Sequence, residues 1–128
     1  MLRARDLMIT DLVVLRPEMG IHHAVSLLMK RDISGAPVLD QHGTVVGILT
    51  EKDCLRSIFR ACYHQEPEGI VADYMNQPVQ TIDAEMEVLG VIEKFLEGPF
   101  RRFPVLEGTR LVGQISRRDI LSTVEAMW

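Results

Sequence analysis

The feature that most constrains this chain is that it repeats itself. Asp6-Leu7-Met8 returns as Asp73-Tyr74-Met75, Glu18-Met19 as Glu85-Met86, and Pro37-Val38-Leu39 as Pro104-Val105-Leu106, all at one constant displacement. The displacement then shortens by one residue, and Gly47 matches Gly113, Thr50 matches Ser116 and Asp53 matches Asp119. The lost residue falls where Asp40-Gln41-His42-Gly43 stands against Glu107-Gly108-Thr109. Turns are where a structural unit tolerates a deletion, so the chain reads as two copies of one fold element.

Within each copy the hydrophobic spacing selects the elements. Ile21, Ala24, Val25, Leu28 and Met29 follow the stripe of an amphipathic helix, and Val88, Val91, Ile92, Phe95 and Leu96 repeat it. An extended run from Ala36 to Leu39, a turn and the β-branched run Val45 to Leu49 predict a hairpin, as do Phe103 to Leu106 with Leu111 to Ile115. Thr50 and Ser116 then start helices running through Ile58 or beyond and through about Met127. A short helical turn precedes each copy at Ala4 to Met8 and Val71 to Met75, and the polar, turn-rich stretch from Tyr63 to Gly69 reads as a linker. The expected layout is residues 1–62 for the first repeat, 63–70 for the linker and 71–128 for the second repeat. A unit this small is marginal alone, so the two copies are expected to pack sheet against sheet around a shared core.

Composition narrows the function. A chain of 128 residues, 47% hydrophobic and 25% charged, is globular, and 14 Lys+Arg against 18 Asp+Glu leave a net charge of −4 without a basic patch, which argues against a nucleic-acid partner. Charges occupy the N-terminus where a secretory signal needs its apolar core, and no apolar run is long enough for a membrane span, so a cytoplasmic location is expected. Cys54 and Cys62 fall in one predicted helix, where the helical rise sets them about 12 Å apart, too far for a disulfide. The four histidines lack the spacing and company of a metal site. No nucleophile-base pair or phosphate-loop pattern is present, so no enzymatic activity is expected.

The pattern Pro-Val-Leu, acid, turn glycine, β-branched run, Gly, two apolar residues, Thr or Ser, two residues, Asp occurs at Pro37 to Asp53 and again at Pro104 to Asp119. It closely resembles the cystathionine β-synthase (CBS) domain, and the duplication resembles a CBS pair, or Bateman module, over nearly the whole chain. The resemblance implies an α/β (α+β) fold of two β-α-β-β-α repeats related by a pseudo-twofold axis. It also implies clefts between the repeats that take adenine nucleotides or related adenosyl ligands, and assembly as disc-like dimers.

Thr50-Glu51-Lys52-Asp53 and Ser116-Arg117-Arg118-Asp119 lie where a strand runs into a helix. Two readings of them stand side by side. Thr or Ser at an N-cap with an acid three residues on is a capping box, required to satisfy orphan amides whatever the function. A short carboxylate in both copies also suits two contacts to vicinal ribose hydroxyls, beside a helix N-terminus suited to phosphate. In matching members of the family the Ser or Thr contacts phosphate and the Asp contacts ribose, roles carried here onto Thr50, Asp53, Ser116 and Asp119. A second wall precedes each Pro-Val-Leu: Ser34, Gly35 and Ala36 in the first copy, Arg101, Arg102 and Phe103 in the second. With Arg117 and Arg118, the second copy gathers four arginines against Lys52 in the first, which favours an anionic ligand at the second site and a neutral ligand, a weaker one or none at the first. Val13, Val14 and Val79, at the expected strand starts, complete the candidate set as flanks for adenine.

The expectation is a stand-alone regulatory module that binds AMP, ADP, ATP or S-adenosylmethionine, requires no cofactor, and signals occupancy to an effector protein. The alternative is a ligand-free dimerisation or protein-interaction module. In either case a homodimer is expected, covering an apolar stripe of Ile120, Leu121, Val124, Met127 and Trp128 on the last helix.

Overall fold

The structure, a computed structural model that describes residues 1–127, runs α1 (Ala4–Leu7), α2 (Ile21–Arg31), β1 (Gly35–Leu39), β2 (Val45–Thr50), α3 (Glu51–His64), α4 (Val71–Tyr74), β3 (Ile82–Asp83), α5 (Val88–Leu96), β4 (Arg102–Glu107), β5 (Arg110–Ser116) and α6 (Arg117–Met127). The class is α+β. By packing the chain forms two compact units offset from the sequence repeats: Val13–Val79 makes one, and Met1–Leu12 joins the chain from Gln80 onward to make the other. Helix α3 continues to His64 and is closed by Gln65 in the left-handed conformation, so the segment read as linker begins inside a helix.

In the Val13–Val79 unit, β1 and β2 form an antiparallel hairpin in which Gly35 pairs with Thr50 and Ala36 with Leu49. Leu15 lies parallel to Val38, a single bridge where a first strand was expected to begin at Val13. Pairing falls on Leu15 because that side chain is fully buried, whereas Val13 and Val14 are half-buried. The core gathers Leu15, Ile21, Ala24, Leu28, Ala36, Val38, Leu49, Cys54 and Val71. Each large side chain removed from water in this way contributes about 1.5–3 kcal/mol.

The second unit repeats the plan. Strand β3 pairs in parallel with β4, Ile82 opposite Val105, and β4 pairs antiparallel with β5. Its core contains Ala4, Leu7, Ile82, Ala84, Val91, Phe95, Phe103, Val105, Ile115 and Ile120. The amphipathic stripes on α2 and α5 meet these cores except at their last residues. Met29 and Leu96 are exposed, Leu96 by 80%, while Leu28 and Phe95 beside them are buried, so the two lie at the edge of their stripes.

The recurring Asp-x-Met has a structural cause. The N–H of Arg3 donates to Asp6 Oδ2 at 2.8 Å and that of Ile70 to Asp73 Oδ2 at 3.4 Å, so each aspartate holds the start of a short helix. The methionine that follows covers a hairpin glycine, Met8 over Gly113 and Met75 over Gly47. The N-terminal segment is further held by backbone bonds Ala4 N to Met86 O and Val88 N to Leu2 O, and by ion pairs of Arg5 with Glu85 and Glu107. The Arg5 hydrogen bond keeps the Glu107 carboxyl below the usual carboxylate range. These pairs are exposed and each adds at most about 1 kcal/mol.

A methyl group on Gly113 would stand 2.5 Å from Met8 Sδ and 3.0 Å from the Ile9 carbonyl oxygen, whereas the three atoms nearest to one on Gly47 all belong to the Met75 side chain. Gly113→Ala is therefore expected to cost about 1–3 kcal/mol and more than Gly47→Ala, since a backbone carbonyl cannot swing aside as a thioether can. Urea midpoints of the two variants check this order, and equal midpoints would contradict it.

Candidate functional site

The last residue of β2, Thr50, is also the N-cap of α3, because its extended backbone ends the strand while its hydroxyl meets the first helical turn. Thr50 N–H and Thr50 Oγ1 each donate to Asp53 Oδ2 at 2.8 Å, and Asp53 N–H donates to Thr50 Oγ1 at 3.4 Å. That is the capping box. Two further donors close on the same carboxylate: Asn76 Nδ2 to Oδ2 at 2.7 Å and Arg56 Nη1 to Oδ1 at 2.8 Å. Asn76 is placed there by backbone bonds with Ile48 in both directions, and its side-chain amide also donates to the Ile48 carbonyl at 3.2 Å. Asp53 is consequently 1% exposed with four donors on its carboxylate.

The second copy repeats the box without the extra donors. Ser116 N–H and Ser116 Oγ donate to Asp119 Oδ2 at 2.8 and 2.9 Å, and Asp119 N–H donates to Ser116 Oγ at 3.2 Å. The position matching Asn76 is Ile9, which makes the same backbone pair, here with Gln114, but has no amide to offer. The position matching Arg56 is Ser122. Among the described residues nothing donates to Asp119 Oδ1, and Asp119 is only half-buried.

The structure brings most of the other candidate residues to these two places. In the first unit Gly35 is paired with Thr50, and the Ser34 carbonyl accepts from Glu51 N–H at 2.9 Å at the start of α3. Ala36 is wholly buried, so its methyl belongs to the core, and Val13 and Val14 lead into the bridge at Leu15. In the second unit Arg102 is paired with Ser116, and the Arg101 carbonyl accepts from Arg117 N–H at 3.3 Å. Arg101, Arg117 and Arg118 are exposed, and their guanidinium groups form no ion pair among the described residues. The Phe103 ring lies in the core against Phe95 and Phe100, at centroid distances of 4.7 and 5.0 Å. Val79 closes the Val13–Val79 unit and so does not share a unit with Ser116 and Asp119.

Comparison with known proteins accounts for the duplicated geometry. Residues 4–60 and 71–126 each match the CBS domain. The chain belongs to the CBS domain family. As a tandem CBS pair, or Bateman module, it is similar to the A-adding tRNA nucleotidyltransferase of Aquifex aeolicus, 30% identical over 124 residues that cover 97% of this chain and 14% of that protein. It also spans 43% of the length of protein MJ1225 of Methanocaldococcus jannaschii. Among solved structures, CBSX2 in complex with AMP superposes with a TM-score of 0.86 at 24% identity, covering 98% of this chain and 97% of that one. The CBS domain pair of protein MJ0100 in complex with 5-methylthioadenosine and S-adenosyl-L-methionine superposes with a TM-score of 0.83 at 23% identity, covering 99% and 98%. At such identities the likeness is one of fold.

The CBS pair also carries exposed apolar surface that the sequence reading did not single out. On α3, Leu55, Phe59 and Tyr63 recur every fourth residue and face solvent, Phe59 and Tyr63 at 70% and 73%, with their rings stacked 5.8 Å apart. The spacing was the available signal. Beside them an apolar groove of about 350 Å³ is lined by Val25, Leu28, Met29, Cys54, Leu55 and Ile58, with Glu51 at its rim. On α6 the expected stripe is narrower than anticipated. Ile120 is buried and Val124 packs against the core, because they occupy the inward face of the helix, while Leu121 and Met127 are exposed. Trp128 lies outside the described residues. Both cysteines are free, and burial, followed by the nearby charges of Asp53 and Glu51, pushes the Cys54 thiol up and makes it inert. Among the described residues no helix is long and apolar enough to cross a membrane.

Proposed function

We propose that this CBS pair is a cytoplasmic regulatory module that takes an adenosine-containing ligand bearing phosphate, requires no cofactor, and signals occupancy to an effector protein. The ligand is read at Ser116 and Asp119, with Arg101, Arg102, Arg117 and Arg118 around it and Phe103 contributing only backbone, since its ring is in the core. The observation that carries this reading is the Asp119 carboxylate, which among the described residues keeps one oxygen without a donor, near the exposed Arg101, Arg117 and Arg118. A ribose diol donates to that oxygen, and a phosphate accepts from guanidinium groups and from the Arg118 N–H, since the Arg117 and Asp119 N–H groups of the first turn of α6 are bonded to the Arg101 carbonyl and Ser116 Oγ. The single proton of Ser116 Oγ is donated to Asp119, so a phosphate engages this hydroxyl only after the proton turns outward. The AMP held by CBSX2 and the adenosyl ligands held by the MJ0100 pair support the ligand class. Signalling follows if the ligand binds one conformation of the chain more tightly than another, since a shift in population equals that difference in affinity.

Calorimetric titration with AMP, ADP, ATP and S-adenosylmethionine tests the proposal. The nucleotides are expected to bind more tightly than the sulfonium compound, and heat from none of the four would overturn it.

The exposed Leu55, Phe59 and Tyr63 favour a second property, self-association. We propose a homodimer that covers the apolar face of α3. Light scattering at tens of micromolar is expected to give the dimer mass, because about 8 kcal/mol of association energy already favours it at that concentration. A monomer would contradict this.

A further inference from the structure

We infer that the first Thr-x-x-Asp site of this chain is closed by its own side chains, Asn76 and Arg56, so that the CBS pair takes one adenosine ligand per chain and not two. The inference rests on the reading that Ser116 and Asp119 take such a ligand. An ionised carboxylate offers about four acceptor positions. At Asp53 three donors already crowd Oδ2, the Thr50 N–H, the Thr50 hydroxyl and the Asn76 amide, and the Arg56 guanidinium covers Oδ1. A ribose diol arriving there would have to evict the Asn76 amide, the Arg56 guanidinium or both, and the aspartate offers it almost no open surface.

The repeat supplies the internal comparison. The backbone scaffold is the same in both copies, with Asn76 paired to Ile48 as Ile9 is paired to Gln114. The chemistry at the matching positions differs, Asn76 against Ile9 and Arg56 against Ser122. Asn76 mimics the ligand: its amide presents to Oδ2 the kind of donor a ribose hydroxyl would present. Arg56 does the same for Oδ1. Two positions outside the Thr-x-x-Asp motif therefore decide which copy is open, and they act as specificity-determining residues.

Equilibrium dialysis against AMP, with folding checked by thermal melts, tests the closure. Wild-type chain is expected to hold one AMP per chain at saturation, and the double variant Asn76→Ile, Arg56→Ser, which copies the second site's residues into the first, is expected to hold two. Asn76→Ile alone, a change at an exposed residue, keeps the test available if the double variant does not fold, and is expected to show a second, weaker AMP. Two AMP per wild-type chain, or one per chain in every folded variant, would overturn the closure. A wild type that binds none beside a double variant that binds one would uphold the closure and overturn the reading of Asp119. Binding by no variant would overturn both.

Discussion

Asp119→Ala is expected to weaken AMP binding by one to two orders of magnitude while the chain remains folded. The carboxylate accepts the Ser116 N–H and hydroxyl through Oδ2, which on the proposed reading leaves Oδ1 for a ribose, and charge-assisted hydrogen bonds of that kind are worth about 1.5–3 kcal/mol. Loss of the capping box costs about 0.5–2 kcal/mol of stability, which a folded domain tolerates. Titration of the variant with AMP, beside its urea unfolding curve, separates the two effects. Wild-type affinity in a merely less stable protein would confine Asp119 to the capping role.

The same substitution in the first copy should act the other way round. Asp53→Ala is expected to cost about 2–4 kcal/mol of stability and to leave AMP affinity within a few-fold of wild type. The loss exceeds that of an ordinary cap because the buried carboxylate holds the Thr50 amide and hydroxyl, the Asn76 amide and the Arg56 guanidinium together. With the carboxylate gone, the cap at the start of α3 and its tie to Asn76 are lost together. A urea midpoint lower for Asp53→Ala than for Asp119→Ala checks this. The reverse order, with AMP binding abolished by Asp53→Ala, would place the ligand in the wrong copy.

The fold was legible because repetition and periodicity reinforce each other. The helices from Ile21 and from Val88, both hairpins and the helix starts at Thr50 and Ser116 all follow from spacing that appears twice. The packing partner of each short helix was not legible. Met8 and Met75 look alike in sequence, and only the folded chain shows that Met8 covers Gly113 while Met75 covers Gly47. The capping box was read correctly as one of two roles for the Thr-x-x-Asp and Ser-x-x-Asp motifs, and the structure contains it in both copies. What separates the copies lies outside the motif. Asn76 falls in the segment after α4, far along the chain from Asp53, and no local pattern announces that its amide will sit 2.7 Å from that carboxylate. The exposed face of α3 escaped notice for a different reason: Leu55, Phe59 and Tyr63 alternate with charged residues and read as an ordinary amphipathic helix until their side chains are found in solvent.

On the proposed reading, one place in this CBS pair takes an adenosine ligand and Asp119 marks it. A crystal structure of the chain grown with saturating AMP tests it most directly. One nucleotide per chain is expected, its ribose hydroxyls against Asp119 and its phosphate among Arg101, Arg102, Arg117 and Arg118, with Asn76 still bonded to Asp53. A nucleotide seated on Asp53 with Asn76 displaced, or crystals whose Asp119 carboxylate faces only water at saturating AMP, would contradict it.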